Sequence, residues 1–260
     1  MNSEGFNENL LDGLEIQKTI EDDEYDEYEE NDYVKDALAK AKNVLREFWR
    51  QQNNNELDLS SLLIEQLPRK YFEDPKIIKK LEVLDLDDNY LKSVPKEIGN
   101  LKNLRELYLR NNELTSIPEE IGSLQNLIRL SLVENELTSL PIEIGNLHNV
   151  RYLGLSENEL KSLPEEIGNL LNLEILYLHH NNLTSIPEEI GNITNLKTLD
   201  LNNNKLTSLP ISIGSFHILL VLDLDGNPLE EGIPKTIGGF REEWEKYMES
   251  MREIKSARKR

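Results

Sequence analysis

The chain has 260 residues, with 49 Asp and Glu against 29 Lys and Arg, a formal charge of -20 and no cysteine. Disulfides, thiolate metal sites and a cysteine nucleophile are excluded, and a nucleic-acid partner is disfavoured because binding a polyanion draws on clustered Lys and Arg. No basic leader opens the sequence, and no run approaches the roughly 18 consecutive apolar residues of a membrane span, so the expectation is a soluble, cytoplasmic, monomeric protein with protein partners.

Taken in chain order, residues 1–32 come first and hold 13 acids and one lysine, a net -12. Charges of one sign at this density resist collapse, which predicts a disordered arm. The first reading of the arm is a solubilising tail; the alternative is a tethered competitor, since a flexible arm of this length reaches roughly 30 Å, far enough for its carboxylates to compete for the protein's own binding surface. From residue 33 to 53 the composition changes. Val34, Leu38, Ala41, Leu45 and Phe48 recur at steps of three and four, one apolar helical stripe with Trp49 beside it. A second amphipathic helix is expected at 241–260, where Trp244, Tyr247, Met248, Met251 and Ile254 follow Phe240 on one side and Lys255, Arg258, Lys259 and Arg260 make a basic end. Each helix is placed to cap one end of what lies between.

Between them, at 54–240, the chain repeats itself. The nonapeptide LTSIPEEIG occurs at Leu114–Gly122 and again at Leu183–Gly191, 69 positions apart, which is three times 23. Copies begin at Leu81, Leu104, Leu127, Val150, Leu173 and Leu196, each close to L-x-x-L-x-L-x-x-N-x-L-x-x-L-P-x-x-I-G-x-L-x-N. An irregular copy precedes them, with Leu62 in place of the asparagine, and another follows from Leu219, making eight units.

Each repeated position has a mechanical reading. L-x-L alternates with period two, a short strand with its leucines inward. Asn89, Asn112, Asn135, Asn158, Asn181, Asn204 and Asn227 follow it at one position of successive copies, where an amide can satisfy backbone groups left unpaired as the chain leaves the strand. Stacked copies therefore predict an amide ladder. The proline stops further pairing and opens a turn or short helical segment, and the glycine of I-G is expected to supply a tight bend. One unit buries too little to fold alone, whereas a stack buries a continuous leucine core.

This pattern resembles the leucine-rich repeat, in the 23-residue L-P-x-x-I-G-x-L form found in Ras-binding animal scaffolds, their plant relatives and many bacterial and archaeal proteins. The resemblance implies an α/β fold, a curved leucine-rich-repeat solenoid with a parallel sheet on its concave side, helical caps at both ends, and no catalytic chemistry or cofactor of its own. It further implies that residues flanking and between the strand leucines face the concave surface. On the middle four strands these include Tyr108, Arg110, Arg129, Val133, Tyr152, Ile175, Tyr177 and His179, while acidic and small polar residues hold both ends. Tyrosine and arginine are common interface anchors, and four strands at about 4.8 Å spacing form a patch roughly 15 to 20 Å across. The alternative is structural: tyrosines packing on cross-strand neighbours, and arginines pairing with Glu106 or Glu157.

Two functions fit. One is a non-enzymatic scaffold binding a protein on the concave face, with a small GTPase or an associated signalling protein among the candidates that the repeat class suggests. The other is an acidic inhibitor or immunity-type protein masking the basic active site of a toxin or nuclease. Catalysis lacks support, since the carboxylates obey the repeat and no nucleophile stands beside a base. Glu97, Glu119, Glu120, Glu143, Glu165, Glu166, Glu188 and Glu189 follow the prolines and predict an acidic ridge on the opposite surface. His179 and His180 are adjacent, and their rings are expected to point to different places, a poor chelate.

Overall fold

The structure, a computed structural model, describes residues 32–51, 54–67 and 69–230, with single positions at 233, 246, 247, 249, 250 and 253. The arm at 1–31 lies outside the described residues, as do Phe240, Trp244, Met248, Met251 and Ile254 of the expected C-terminal helix. The described positions of that segment from 246 to 253 are helical, and Tyr247 packs half-buried against the core together with Ile233.

Helix α1 spans Asp32–Arg50 and buries Ala37, Ala41, Leu45 and Phe48. The buried stripe thus includes Ala37 beside the expected positions; the side chains of Val34, Leu38 and Trp49 lie outside the described set. Lys80 closes the C-terminal end of the helix. Its Nζ donates to the carbonyl of Phe48 at 3.3 Å and to that of Gln51, and it lies 4.6 Å from the Phe48 ring centroid. The last carbonyls of a helix lack intrahelical donors, and a lysine there answers both them and the helix dipole.

Eight strands follow, each of three residues: β1 Glu56–Asp58, β2 Val83–Asp85, β3 Glu106–Tyr108, β4 Arg129–Ser131, β5 Tyr152–Gly154, β6 Ile175–Tyr177, β7 Thr198–Asp200 and β8 Val221–Asp223. They form one parallel sheet in sequential order. The register is invariant, so that Leu84, Leu107, Leu130, Leu153, Leu176, Leu199 and Leu222 stand in one row beneath the sheet, none more than 2 % exposed. Alternation with period two sends these leucines into the core and their neighbours to the open face. Truncating one of them to alanine should cost about 2 to 5 kcal/mol, because both flanking coils lose contacts. In the irregular first repeat the chain adds a short helix α2, Pro75–Lys80, which the repeat pattern does not announce.

The amide ladder is present. Asn158 is representative: its Nδ2 donates to the carbonyls of Leu132, Leu155 and Ser156, and its Oδ1 accepts from the Leu137 N–H at 3.0 Å. Where Leu62 replaces the first asparagine, Asn89 reaches back instead, accepting from both Leu62 N–H and Ile64 N–H. A second ladder runs through the closing asparagine of the repeat. Asn103, Asn126, Asn149, Asn172 and Asn195 each donate to a carbonyl 24 residues earlier, at 2.8 to 3.0 Å.

The prolines open five-residue 3-10 turns such as Glu119–Ser123 and Glu165–Asn169 on the side away from the sheet. The glycine in these turns does not serve as a bend. The left-handed residues lie instead just before the ladder asparagines, at Asp88, Asn111, Glu134, Glu157, His180, Asn203 and Gly226. The turn glycine answers a close approach: a Cβ on Gly145 would stand 2.5 Å from the Glu166 carbonyl oxygen and 2.7 Å from the Glu166 Cβ, and Gly122 meets Glu143 in the same way. The coils can stack this tightly only because the side chain is missing. No helix among the described residues is long and apolar enough to cross a membrane.

Candidate functional site

The face opposite the leucine row is the open side of the sheet, and it carries all eight predicted residues. Strand geometry sets their positions: β3 presents Glu106 and Tyr108, β4 Arg129, β5 Tyr152, and β6 Ile175 and Tyr177, while Arg110, Val133 and His179 stand two residues past their strands.

The structure joins most of these side chains into one strip running across the strands. Tyr108 donates its hydroxyl proton in a short hydrogen bond to Glu106, whose Oε2 also lies 3.9 Å from Arg129 Nε. The Arg129 guanidinium stands over the Tyr152 ring, 4.7 Å from its centroid. The Tyr152 and Tyr177 rings meet edge to face, with centroids 5.7 Å apart and planes at 76°. Tyr177 in turn contacts His179 at 6.1 Å, and His179 Nδ1 lies 3.0 Å from Asp200 Oδ2, off the alignment of a hydrogen bond. Contacts of this kind contribute about 0.5 to 1.5 kcal/mol each beyond the area they bury.

Three small residues on the same face, Ser131, Gly154 and Ser156, are buried. Gly154 explains how Tyr152 sits. An added Cβ would come within 3.2 Å of both Cε1 and the hydroxyl of Tyr152 and 2.9 Å from Val133 Cγ2, so Tyr152 lies down across the glycine and forms a floor with Val133. Ile175, half-buried and in register with Tyr152, extends that floor.

The cations are engaged. Arg129 pairs with Glu106, as the structural alternative expected, whereas Arg110 pairs with Glu134, one repeat on, through Nε and Nη2, and not with Glu106 or Glu157. His179 and His180 are in edge contact, with centroids 5.7 Å apart, and their ring nitrogens reach different partners, His179 Nδ1 lying near Asp200 and His180 Nε2 near Asn203. Among the described residues, no group of three or more His, Cys, Asp or Glu side chains could hold a metal ion.

Burial shapes the titration of the face. It pushes the Tyr108 hydroxyl up to about 12, helped by the hydrogen bond to Glu106, and raises Tyr152, so both phenols remain donors at neutral pH. At the N-terminal end burial raises Asp85 and takes Asp87 to about 6, against the stabilising backbone N–H of Arg110 and with the neighbouring carboxylates adding to the rise. Glu106, Gly154 and Asp200 also belong to this arrangement, at positions that strand alternation turns to the open face, with Glu106 an expected arginine partner and Gly154 standing in the column between Ser131 and Tyr177. Glu134 lies outside that alternation, and only its pairing with Arg110 reveals it.

Comparison with known proteins agrees with the geometry. Sequence models described as "Leucine rich repeat" match residues 53–114, 79–137 and 102–160, "Leucine-rich repeat region" matches 141–200, and "Leucine Rich Repeat" matches 195–216 and 219–240. None of the curated proteins matches the chain. Among solved structures it is similar to a leucine-rich-repeat protein of Leptospira interrogans, with 41% identity and a TM-score of 0.66 over 70% of this chain and 45% of that one. It is also similar to the plant peptide hormone receptor RGFR1, solved in complex with RGF2, at 31% identity and TM-score 0.57 over 63% of this chain and 26% of the receptor. A third is the ectodomain of the Arabidopsis thaliana receptor kinase GASSHO1/SCHENGEN3 with Casparian strip integrity factor 2, at 30% identity and TM-score 0.52 over 69% and 28%. The chain spans less than half the length of each.

Proposed function

Because the chain belongs to the leucine-rich-repeat family, we propose that it is a non-enzymatic recognition scaffold whose concave face binds a protein partner across β3–β6. The observation that carries this reading is the continuous strip Tyr108–Glu106–Arg129–Tyr152–Tyr177–His179. Its aromatic rings are held by edge contacts and a cation–π contact, so little ordering entropy is left to lose on binding. The receptor structures named above were solved with ligands, which supports the same use of the fold here. The partner class extends to signalling proteins, a small GTPase among them, on the strength of the repeat form alone.

A second reading, the acidic inhibitor of a basic toxin or nuclease, is favoured by Asp58, Asp85 and Asp87 at one end of the same face. Salt separates the two: affinity of an inhibitor built on charge falls steeply with ionic strength, whereas an aromatic-centred interface is less affected. The test of the leading reading is capture of partners by the wild-type chain and by a variant with Tyr108, Tyr152 and Tyr177 changed to alanine. Proteins retained by the first and lost from the second are the expected result; identical capture contradicts the reading.

A further inference from the structure

The concave face changes character from its middle to its ends. In the middle, the two arginines already have carboxylates or rings for company. At the ends, Asp58, Asp85 and Asp87 on one side and Asp223 and Asp225 on the other make no ion pair among the described residues. The register worsens matters, because Asp58 stands opposite Asp85 and Asp200 opposite Asp223 on paired strands. Like charges directly opposite one another destabilise a sheet; the oxygens of these carboxylates accept backbone N–H groups two residues on, but their negative charges oppose the pairing of the strands.

Resting on the concave-face reading above, we infer that the partner is a polypeptide segment with an apolar or aromatic centre and Lys or Arg at both ends, lying across the strands. Its centre meets Tyr152, Tyr177 and Val133; its ends neutralise the two carboxylate groups. From β2 to β8 there are six strand gaps, about 29 Å at 4.8 Å each. That length corresponds to about 9 residues in extended form or about 19 in a helix. The chain's own arm at residues 1–32, net -12 from 13 acids and one lysine, has the wrong sign for both ends of this face, and the arginines it would seek are occupied.

Three synthetic peptides of about 20 residues provide the probes. One has basic ends and a leucine–phenylalanine centre, one has the same centre with glutamate ends, and one has basic ends around a serine–glycine centre. Fluorescence anisotropy against the full chain should show the first binding at least about tenfold tighter than either of the others. Because the whole chain is acidic, charge placement is tested separately. Changing Asp85, Asp87, Asp223 and Asp225 to asparagine should weaken the first peptide by about tenfold or more, whereas removing the same charge by changing Glu119, Glu136, Glu159 and Glu165 to glutamine, away from this face, should change it less than about twofold. Asparagine keeps the acceptor oxygens that hold the N–H groups of Asp87, Arg110 and Asp225, so the fold is preserved.

Equal or tighter binding of the glutamate-ended peptide, equal losses in the two charge variants, or no binding by any peptide overturns the inference. If the glutamate-ended peptide binds and Tyr177→Ala abolishes that binding, the inference fails while the concave-face reading stands. If the basic peptide binds and neither Tyr152→Ala nor Tyr177→Ala affects it, both fail.

Discussion

Tyr152 lies across Gly154, so that the place of a side chain at 154 is taken by the ring and hydroxyl of its neighbour two positions earlier. The centre of the concave face depends on that relationship. Gly154→Ala should lift Tyr152 and cost about 1 kcal/mol. Introduced into a Tyr152→Ala background, the same change should cost clearly less, with the remainder due to Val133. A urea-denaturation cycle of the two single variants and the double variant measures the coupling, and simple additivity would show that Tyr152 does not rest on this position.

The two asparagine ladders should differ in weight. Asn158→Ala removes four buried hydrogen bonds and strands the Leu137 N–H, at a cost of about 3 kcal/mol. Asn149→Ala removes one exposed bond, to the Gln125 carbonyl, and should cost less than about 0.5 kcal/mol. Similar melting losses in both variants would contradict this ranking.

Gly145→Ala tests coil stacking. Alanine is ordinarily the better residue in a helical turn, but here its Cβ would collide with the Glu166 backbone, so a loss of about 2 kcal/mol or more is expected. A gain in melting temperature would mean that the coils can part at no cost.

Asp87 gives the fold a pH dependence of definite sign. Burial raises its carboxyl to about 6 in the folded chain, above the value of an unfolded aspartate, so the folded state holds the proton more tightly. Its contribution to stability is therefore full below about pH 4 and is lost as pH rises through about 6. Asp87→Asn should leave stability unchanged near pH 4 and raise it at pH 7 by about 1 kcal/mol after allowance for solvent screening. Melting curves of both proteins from pH 4 to 7 decide it; a variant less stable at pH 7 would show that the charge stabilises the native chain.

Positions that recur every 23 residues could be read directly. The leucine row, the ladder asparagines and the outward face of each strand follow from periods of two and 23 acting on single residues. Contacts between different columns were harder. Arg110 chooses Glu134 because both follow their strands at successive coils, and Lys80 reaches α1 across a helix that the repeat lacks. The turn glycine is the clearest case: local reasoning proposes a bend, while the operative cause is the next coil's backbone, which no single repeat contains. The left-handed residues were obscured for a related reason, since Glu134, Glu157 and His180 occupy a conformation for which sequence alone suggests glycine or asparagine.

The central claim is that partners dock on the strand side of the solenoid. Amide hydrogen exchange of the chain, free and bound to a partner lost from the tyrosine variant, tests it directly. Added protection should fall on β4, β5 and β6 and on the residues just after them, with the 3-10 turns at Glu119–Ser123, Ile142–Asn146 and Glu165–Asn169 unchanged. Protection confined to those turns would place the partner on the acidic outer surface and contradict the account.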